Sequence, residues 1–307
     1  MLPEKMAVFL LRYVKFLNLL AHHLSTKIER NGMSVPSIDN IVSHFPKIVT
    51  PCKIIIITSI FGNYDKLSNP LFDYAGMKHC FHAYGDNSSL QLCKPWKLHR
   101  VNVPGVSTRD LSRIPKMLAF KWVMSPYILY VDGKHQLKLN PHFFIPRMGY
   151  CYDIAILLQP NRNTIEQEYN WIRKNRCYQG ALRSCSLLDE QWALYKKKTP
   201  LAPAYEGSYF LLRRRENMDF MKYWFLNYST YFKRDQLSLD HVLSAENVSV
   251  MKLGRQFHYK PSGQRAVTKA VGHIVKREKV CYDQISKDGI IPFVFFPSIF
   301  CHFYKIQ

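Results

Sequence analysis

Acidic side chains are scarce in this sequence. Among 307 residues there are 22 Asp and Glu against 43 Lys and Arg, which leaves a formal net charge of +21. The electrostatic field of such a positively charged protein attracts nucleic acid, acidic membranes, phosphorylated cofactors or acidic glycans. The charge also increases solubility. The basic residues are dispersed in short groups, which argues against a dedicated nucleic-acid stripe.

Several familiar modules are also missing. There is no zinc-finger spacing, no aromatic RNA-binding signature and no heptad-linked basic region. The positive charge is therefore not accompanied by a known nucleic-acid-binding module. The eight cysteines form no CxxC pair, and their spacing is not that of metal ligands. Because we recognise no secretory signal, we expect these cysteines to be reduced and the chain to be cytoplasmic.

The N-terminal region has no continuous apolar run. Residues 6–24 are rich in Leu, Val and Phe, but Arg12, Lys15, Asn18 and His22 interrupt them. A spanning helix needs about 20 nearly uncharged residues, and no cleavage site for a signal peptide follows. The spacing predicts a helix with one polar stripe, which we expect to pack on the domain. Peripheral contact with a membrane is the alternative.

No internal repeat or low-complexity tract divides the chain. We expect residues 1–50 to form the helix and a linker, residues 51–255 one domain, and residues 256–307 an extension packed on it. Short β-branched runs that alternate with helical patterns predict an α/β fold, with a mostly parallel sheet flanked by helices. The predicted strands cover residues 53–58, 80–84, 96–103, 127–131, 153–158 and 208–213, and the predicted helices 115–124, 166–176, 186–197, 218–232 and 236–244.

A polar segment follows the first predicted strand. Ligands of open α/β sheets bind beyond the carboxyl ends of the strands, and Phe61-Gly62-Asn63-Tyr64-Asp65 begins at such an end. A glycine there lets the backbone approach a ligand closely, and the polar side chains can hydrogen-bond a base or a ribose. An ordinary polar turn would have the same composition.

Asp132-Gly133-Lys134 follows a second buried strand. An acidic residue at this place can bind a metal, bind a sugar hydroxyl or cap a turn. Many sugar transferases have an Asp-x-Asp pair here, which holds a divalent cation on the diphosphate. Lys134 replaces the second acid and can neutralise a diphosphate directly. A Mn²⁺ or Mg²⁺ ion at Asp132 is therefore not required by the motif.

Further charged residues flank predicted helices and strands. Arg109, Arg113 and Lys116 lie beside the start of a helix, where positive charge suits a diphosphate, although solvated surface charges are the usual alternative. Glu206 precedes a predicted strand. Asp235 opens a predicted helix, where it would serve equally well as an N-cap.

Taken together, these segments resemble the glycosyltransferase-like family first catalogued as domain of unknown function 616. Plant members of that family are linked to the synthesis of cell-wall polysaccharide and mucilage. The matching segments occur in the same order and are specific in combination. They are residues 58–65, Cys80-Phe81, Asp86, Trp96, Arg109, residues 114–118, residues 130–137, Glu206-Gly207 and residues 234–238.

The resemblance implies a GT-A fold, in which the first half of a Rossmann-like sheet binds the nucleotide. It implies transfer of a sugar from a nucleotide diphosphate, expected to be UDP, to a hydroxyl of a glycan or glycoprotein. Glu206 and Asp235 are the catalytic candidates, as acceptor base in an inverting reaction or as stabilising carboxylate in a retaining one. The candidate donor-binding residues are Phe61, Gly62, Tyr64, Asp65, Asp86, Arg109, Arg113, Lys116, Asp132, Lys134 and Gln236.

Two other functions stay open at this point. A non-catalytic module of the same fold would hold glycan or nucleotide without turnover, and the carboxylates of Glu206 and Asp235 argue against it. A basic nucleic-acid-binding protein would show a steep loss of binding with salt and no preference for nucleotide sugars.

Overall fold

The computed structural model describes residues 37–62, 65, 67–86, 94–177, 182–199, 201–216, 218–254 and 268–270. The helix predicted over residues 6–24, Tyr64 and the rest of the C-terminal extension lie outside these ranges. No helix in the described ranges is both long enough and apolar enough to cross a membrane.

The helices and strands alternate along the chain. The strands are β1 (Ile54–Ser59), β2 (Phe81–Gly85), β3 (Lys97–Arg100), β4 (Tyr127–Val131), β5 (His135–Leu137), β6 (Ile154–Leu158), β7 (Tyr205–Arg213), β8 (Val250–Leu253) and β9 (Thr268–Ala270). The α-helices are α1 (Ile38–Ser43), α2 (Thr108–Leu111), α3 (Ile114–Leu118), α4 (Ile145–Met148), α5 (Ile165–Arg176), α6 (Leu182–Lys198), α7 (Asp219–Thr230) and α8 (Asp235–Ala245), with 3₁₀ helices at Ala75–Cys80, Ala119–Lys121 and Pro141–Phe144.

A seven-stranded sheet forms the centre of the described structure. Its strand order is β3-β2-β1-β4-β7-β6-β8, and only β7 runs antiparallel to its neighbours. The isoleucines of β1 are fully buried, because helices cover both faces of a parallel sheet. The expected α/β class with a mostly parallel sheet is confirmed.

The reversed direction of β7 decides which of its residues lie near the ends of the parallel strands. Val131 at the end of β4 pairs with Tyr209 of β7, and the N–H of Asp132 donates to the carbonyl of Ser208 over 2.8 Å. The first residues of β7, including Glu206, therefore lie at the carboxyl ends of β1, β2 and β4. We call this side of the sheet the carboxyl edge.

The segment before β1 packs against the core, although its composition predicted a linker. Ile41, Phe45 and Ile48 are buried in the main hydrophobic cluster. The Phe45 ring stacks on Trp122 at a centroid distance of 4.3 Å, and the Ile48 N–H donates to the Trp122 carbonyl over 2.8 Å. Only Ile41 of these lies in α1, and the intervening Asn, Ser and Pro gave the segment the composition of a linker.

Among the described residues, disulfide bonds join Cys52 with Cys80 and Cys177 with Cys185, and Cys151 is disulfide-bonded as well. The Cα atoms of the two pairs are 5.9 and 5.5 Å apart, within the range that a disulfide requires. The expectation of reduced cysteines is wrong for these residues. The fold brings Cys52, before β1, next to Cys80, before β2, and no motif in the sequence marks that proximity.

Candidate active site

The loops after β1 and β2 are joined at the carboxyl edge. Gly62 has a φ of +70°, in the left-handed region that favours glycine. Its N–H donates to both carboxylate oxygens of Asp86, over 3.0 and 3.1 Å. Two residues of the expected donor-binding set are therefore in direct contact. Phe61, a third member of that set, is buried in the hydrophobic core instead.

Asp132 directly follows β4 and is fixed by polar groups beneath it. The buried hydroxyl of Tyr130 donates to Asp132 Oδ1 over 2.9 Å and lies 3.1 Å from Ser59 Oγ. Ser59 in turn donates to the carbonyl of Ser112 over 2.6 Å. Because the Asp132 side chain is still 20% exposed, a ligand can reach it. Residues 130 and 132 are two apart, so one side of the strand carries both side chains.

Gly133 allows the loops after β1 and β4 to approach closely. A Cβ atom at this position would lie 2.7 Å from the Ile60 side chain and 3.0 Å from Cβ of Asp65. The glycine thus brings Asp65, another expected donor-binding residue, next to the Asp132-Gly133-Lys134 turn. Lys134 is 32% exposed, and its Nζ lies 4.0 Å from Asp132 Oδ2.

Lys116 of α3 points into the protein, with its side chain only 3% exposed. Its Nζ lies 2.5 Å from Asp235 Oδ2 and 3.9 Å from Asp132 Oδ1. The rings of Tyr130 and Trp224 are 5.3 and 5.8 Å from the ammonium group, measured to their centroids. Lys116 therefore faces two carboxylates of the site, whereas the sequence suggested a cation turned toward the donor.

Asp235 begins α8 and is held between cations. Its Oδ2 also lies 3.4 Å from Nε of Arg113. Burial by itself raises the pKa of Asp235, but the charges of Lys116, Arg113 and Arg234 outweigh it and hold the pKa well below its ordinary value. A carboxylate with such a low pKa is a weak general base at neutral pH. Its environment suits a fixed negative charge better than proton transfer.

Glu206 lies near the start of β7, at the carboxyl edge. Ser208 donates a 2.6 Å hydrogen bond to Glu206 Oε1, so the carboxylate is oriented by a neighbour on its own strand. Ser208, Ser59 and Tyr130 were not among the predicted site residues. Tyr130 and Ser208 each stand two positions from a predicted acid, and the period of a strand could have indicated them.

The remaining candidates make contacts along the loop before α8. Arg109 donates to the carbonyl of Lys233 over 2.6 Å. Gln236 accepts a hydrogen bond from Arg234 and donates to the carbonyl of Tyr205 over 3.4 Å. Arg109 and Gln236 thus help to hold this loop on the domain. Their described contacts do not include Asp132.

The chemistry around Asp132 is a poor match for a divalent cation. In the described ranges, no three His, Cys, Asp or Glu side chains are grouped so as to hold a metal. The Asp132 carboxylate faces the ammonium groups of Lys116 and Lys134 and accepts from Tyr130, whereas Mg²⁺ requires oxygen ligands. The two ammonium charges would repel a metal cation bound at Asp132. The donor set does not fit the metal that an Asp-x-Asp pair would hold.

In open, mostly parallel α/β sheets, ligands bind beyond the carboxyl ends of the strands, and the carboxylates and cations described above lie at that edge. The chain belongs to the TOD1/MUCI70 glycosyltransferase-like domain family, whose model matches residues 29–273. The expected family and the glycosyltransferase class are thereby confirmed. Membership implies a nucleotide-sugar donor and a glycan acceptor.

Mouse xyloside xylosyltransferase 1, in its apo form, is among the similar solved structures. The similarity covers 65% of this chain and 84% of that chain, with 10% sequence identity and a TM-score of 0.39. No curated protein matches the sequence.

Proposed function

We propose that this glycosyltransferase moves the sugar of a UDP-sugar to a hydroxyl of a glycan or glycoprotein and releases UDP. The observation that supports this best is the grouping at the carboxyl edge. There Asp132 and Lys134, both partly exposed, lie within 4.0 Å of each other. Gly133 brings Asp65 against the same turn. The Gly62–Asp86 contact joins the loops that follow the adjacent strands β1 and β2, in the half of the sheet that the family resemblance assigns to the nucleotide.

The departing diphosphate needs positive charge that is in place before the reaction begins. Lys134 and Arg113 are the partly exposed cations of the site, at 32% and 31% side-chain exposure. Such preorganised charge stabilises a leaving diphosphate without reorganisation during the reaction. In this proposal Lys134 contacts the diphosphate, and Arg113 adds its charge while it is paired with Asp235.

The acceptor hydroxyl needs a carboxylate that can take up a proton. Of the two catalytic candidates, Glu206 suits this role better, because the pKa of Asp235 is held well below its ordinary value by Lys116, Arg113 and Arg234 against the opposing effect of burial. In an inverting transfer, Glu206 accepts the proton of the acceptor hydroxyl as that oxygen attacks the sugar. The hydrogen bond from Ser208 keeps Glu206 oriented during the attack.

A screen of nucleotides and nucleotide sugars tests the proposal. UDP at about a hundredfold excess over its Kd is expected to stabilise the protein by about 2.7 kcal/mol, seen as a rise in Tm. One or more UDP-sugars should also be hydrolysed slowly without an acceptor. If no thermal shift occurs with UDP, GDP, ADP or CMP at millimolar concentration, the donor assignment fails. Salt-sensitive binding to nucleic acid in the same assay would favour the alternative class.

A further inference from the structure

We propose that the buried ammonium group of Lys116 takes the place of a divalent cation in this site. Lys116 is then a positioning residue that holds Asp132 and Asp235 together, and the diphosphate is bound without metal. The inference rests on the proposed function for its ligand, a nucleoside diphosphate. It states that the protein itself does not bind a divalent cation at Asp132 and Asp235 while Lys116 is present.

The geometry gives Lys116 the contacts that a bridging cation would make. Its Nζ lies 2.5 Å from Asp235 Oδ2 and 3.9 Å from Asp132 Oδ1, and these carboxylates come from α8 and from the end of β4. A single positive charge thus connects two elements that are remote in sequence. The opposite oxygen of Asp132, Oδ2, lies 4.0 Å from Nζ of Lys134, so cations face both sides of this carboxylate.

The surroundings of Lys116 are shaped to hold a lysine side chain. A Cβ atom on Gly207 would lie 3.2 Å from Nζ and 3.3 Å from Cε of Lys116, so a larger residue there would press on the ammonium group. The ammonium group also lies over the rings of Tyr130 and Trp224, whose faces attract a cation. A charge buried to this extent is stable only when it is well paired, and Asp235 supplies the closest partner.

The balance of charge shows why a further cation is disfavoured. Arg113, Lys116 and Lys134 all lie within 4.0 Å of Asp132 or Asp235. Asp132 and Asp235 are thus already paired with cations before any ligand binds. A divalent cation at these two carboxylates would be repelled by the positive charges that already face them.

Manganese binding to the full-length chain tests this directly, by electron paramagnetic resonance of the free ion. We expect no saturable uptake by the wild type at millimolar Mn²⁺. In Lys116→Ala, two carboxylates and a vacated volume remain, and we expect Mn²⁺ affinity at least about tenfold above the wild type. Adding Asp132→Asn should abolish that gain. Lys121→Ala is the matched control, because Lys121 lies in the 3₁₀ helix that follows α3 and pairs with Asp39 instead.

A second variant and a wild-type measurement cover the case in which Lys116→Ala does not fold. Lys116→Gln keeps most of the side-chain volume and removes the charge, so a smaller gain in Mn²⁺ affinity is expected. The affinity of the wild type for UDP should be the same in EDTA and in Mn²⁺. The inference is overturned by tight Mn²⁺ binding to the wild type that Asp132→Asn removes. It is overturned equally by folded Lys116 variants that gain no Mn²⁺ affinity, or by UDP binding that EDTA abolishes.

These outcomes separate the inference from the proposed function. If no UDP-sugar is bound or used, the proposed function fails, while the Mn²⁺ titrations of wild type and Lys116 variants still decide whether lysine replaces the metal. If UDP binds only with Mn²⁺, the proposed function survives and the role of Lys116 does not.

Discussion

The hydroxyl of Tyr130 donates a 2.9 Å hydrogen bond to Oδ1 of Asp132 from a ring that is only 1% exposed. Burial, and then the charge of Asp132, raise the pKa of Tyr130 well above its usual value, so the hydroxyl keeps its proton and remains a donor. A side chain inside the sheet thus sets the orientation of a carboxylate that a ligand can reach.

Replacing Tyr130 by Phe should impair transfer more than it impairs folding. A hydrogen bond to a charged group contributes about 1.5 kcal/mol, which corresponds to about tenfold in kcat if Asp132 must be oriented. The KM for the donor should change little. Steady-state kinetics on Tyr130→Phe measure both, and Tyr127→Phe, at the other end of β4, is the control. Equal kcat values for the two variants would show that Asp132 does not depend on Tyr130.

Asp132→Asn should leave the protein folded and lower transfer by at least about a hundredfold, or roughly 2.7 kcal/mol of barrier. The change keeps the shape of the side chain but removes the negative charge between Lys116 and Lys134. Asp39→Asn, at a residue whose side chain is 90% exposed, controls for the loss of one acid. Turnover near the wild-type level in a folded Asp132→Asn protein would exclude Asp132 from the site.

Two histidines on β2 and β3 should make the protein sensitive to acid. Nδ1 of His82 lies 2.7 Å from Nε2 of His99. Burial lowers the pKa of both to about 4, helped by Lys97 in each case and by His99 in the case of His82. An unfolded histidine titrates near 6.5, so between that pH and about 4 the unfolded chain binds more protons. The free energy of unfolding therefore falls as the pH drops through this window.

Urea denaturation over that pH window measures the effect of the histidine pair. His99→Gln should weaken the dependence, and His82→Gln combined with His99→Gln should flatten it further. His44→Gln, at an exposed position just after α1, should leave the wild-type slope in place. A double variant with the same slope as the wild type would refute this origin of acid sensitivity.

Gly133→Ala should destabilise the protein by about 1 to 3 kcal/mol, the usual cost of overpacking. The added methyl group would lie 2.7 Å from two atoms of the Ile60 side chain. In the double variant with Ile60→Ala, the loss of stability should be smaller than the sum of the losses in the two single variants. Ile60→Ala removes the side-chain atoms that the new methyl group would contact. Gly76→Ala is the control, because no atom lies within 4 Å of a Cβ built there. Strict additivity would contradict the proposed contact.

The strands that carry the site were accessible to sequence reasoning. β4 has the predicted bounds, because a β-branched and aromatic run ends sharply at Asp132-Gly133. β5 and β8 were missed, since they are only three and four residues long and offer little periodicity. The direction of β7 in the sheet could not be predicted from the hydrophobic pattern either. Its apolar run shows a strand, but the sheet partners decide which of its ends approaches Asp132.

The pairing inside the site could not be read from the sequence. Lys116 and Asp235 are 119 residues apart, and a lysine near the start of a helix is exposed in most proteins. The packing of α3 against α7 turns Lys116 inward, toward Asp235 at the start of α8. The low pKa of Asp235, set by nearby cations against the effect of burial, follows from that packing and not from the residue type.

The Cys52–Cys80 disulfide joins the chain just before β1 to the chain just before β2, so it lies at the edge of the sheet opposite to Asp132. The two ends of these neighbouring strands are therefore held by different chemistry. One end has a covalent bond that a reductant can break, and the other has the Gly62–Asp86 hydrogen bonds, which are indifferent to redox conditions. Reduction would remove a cross-link that contributes about 3 kcal/mol to stability and leave every polar contact of the carboxyl edge in place. A covalent bond and a pair of hydrogen bonds thus hold opposite ends of the same two strands, so a change in redox conditions acts on one end only.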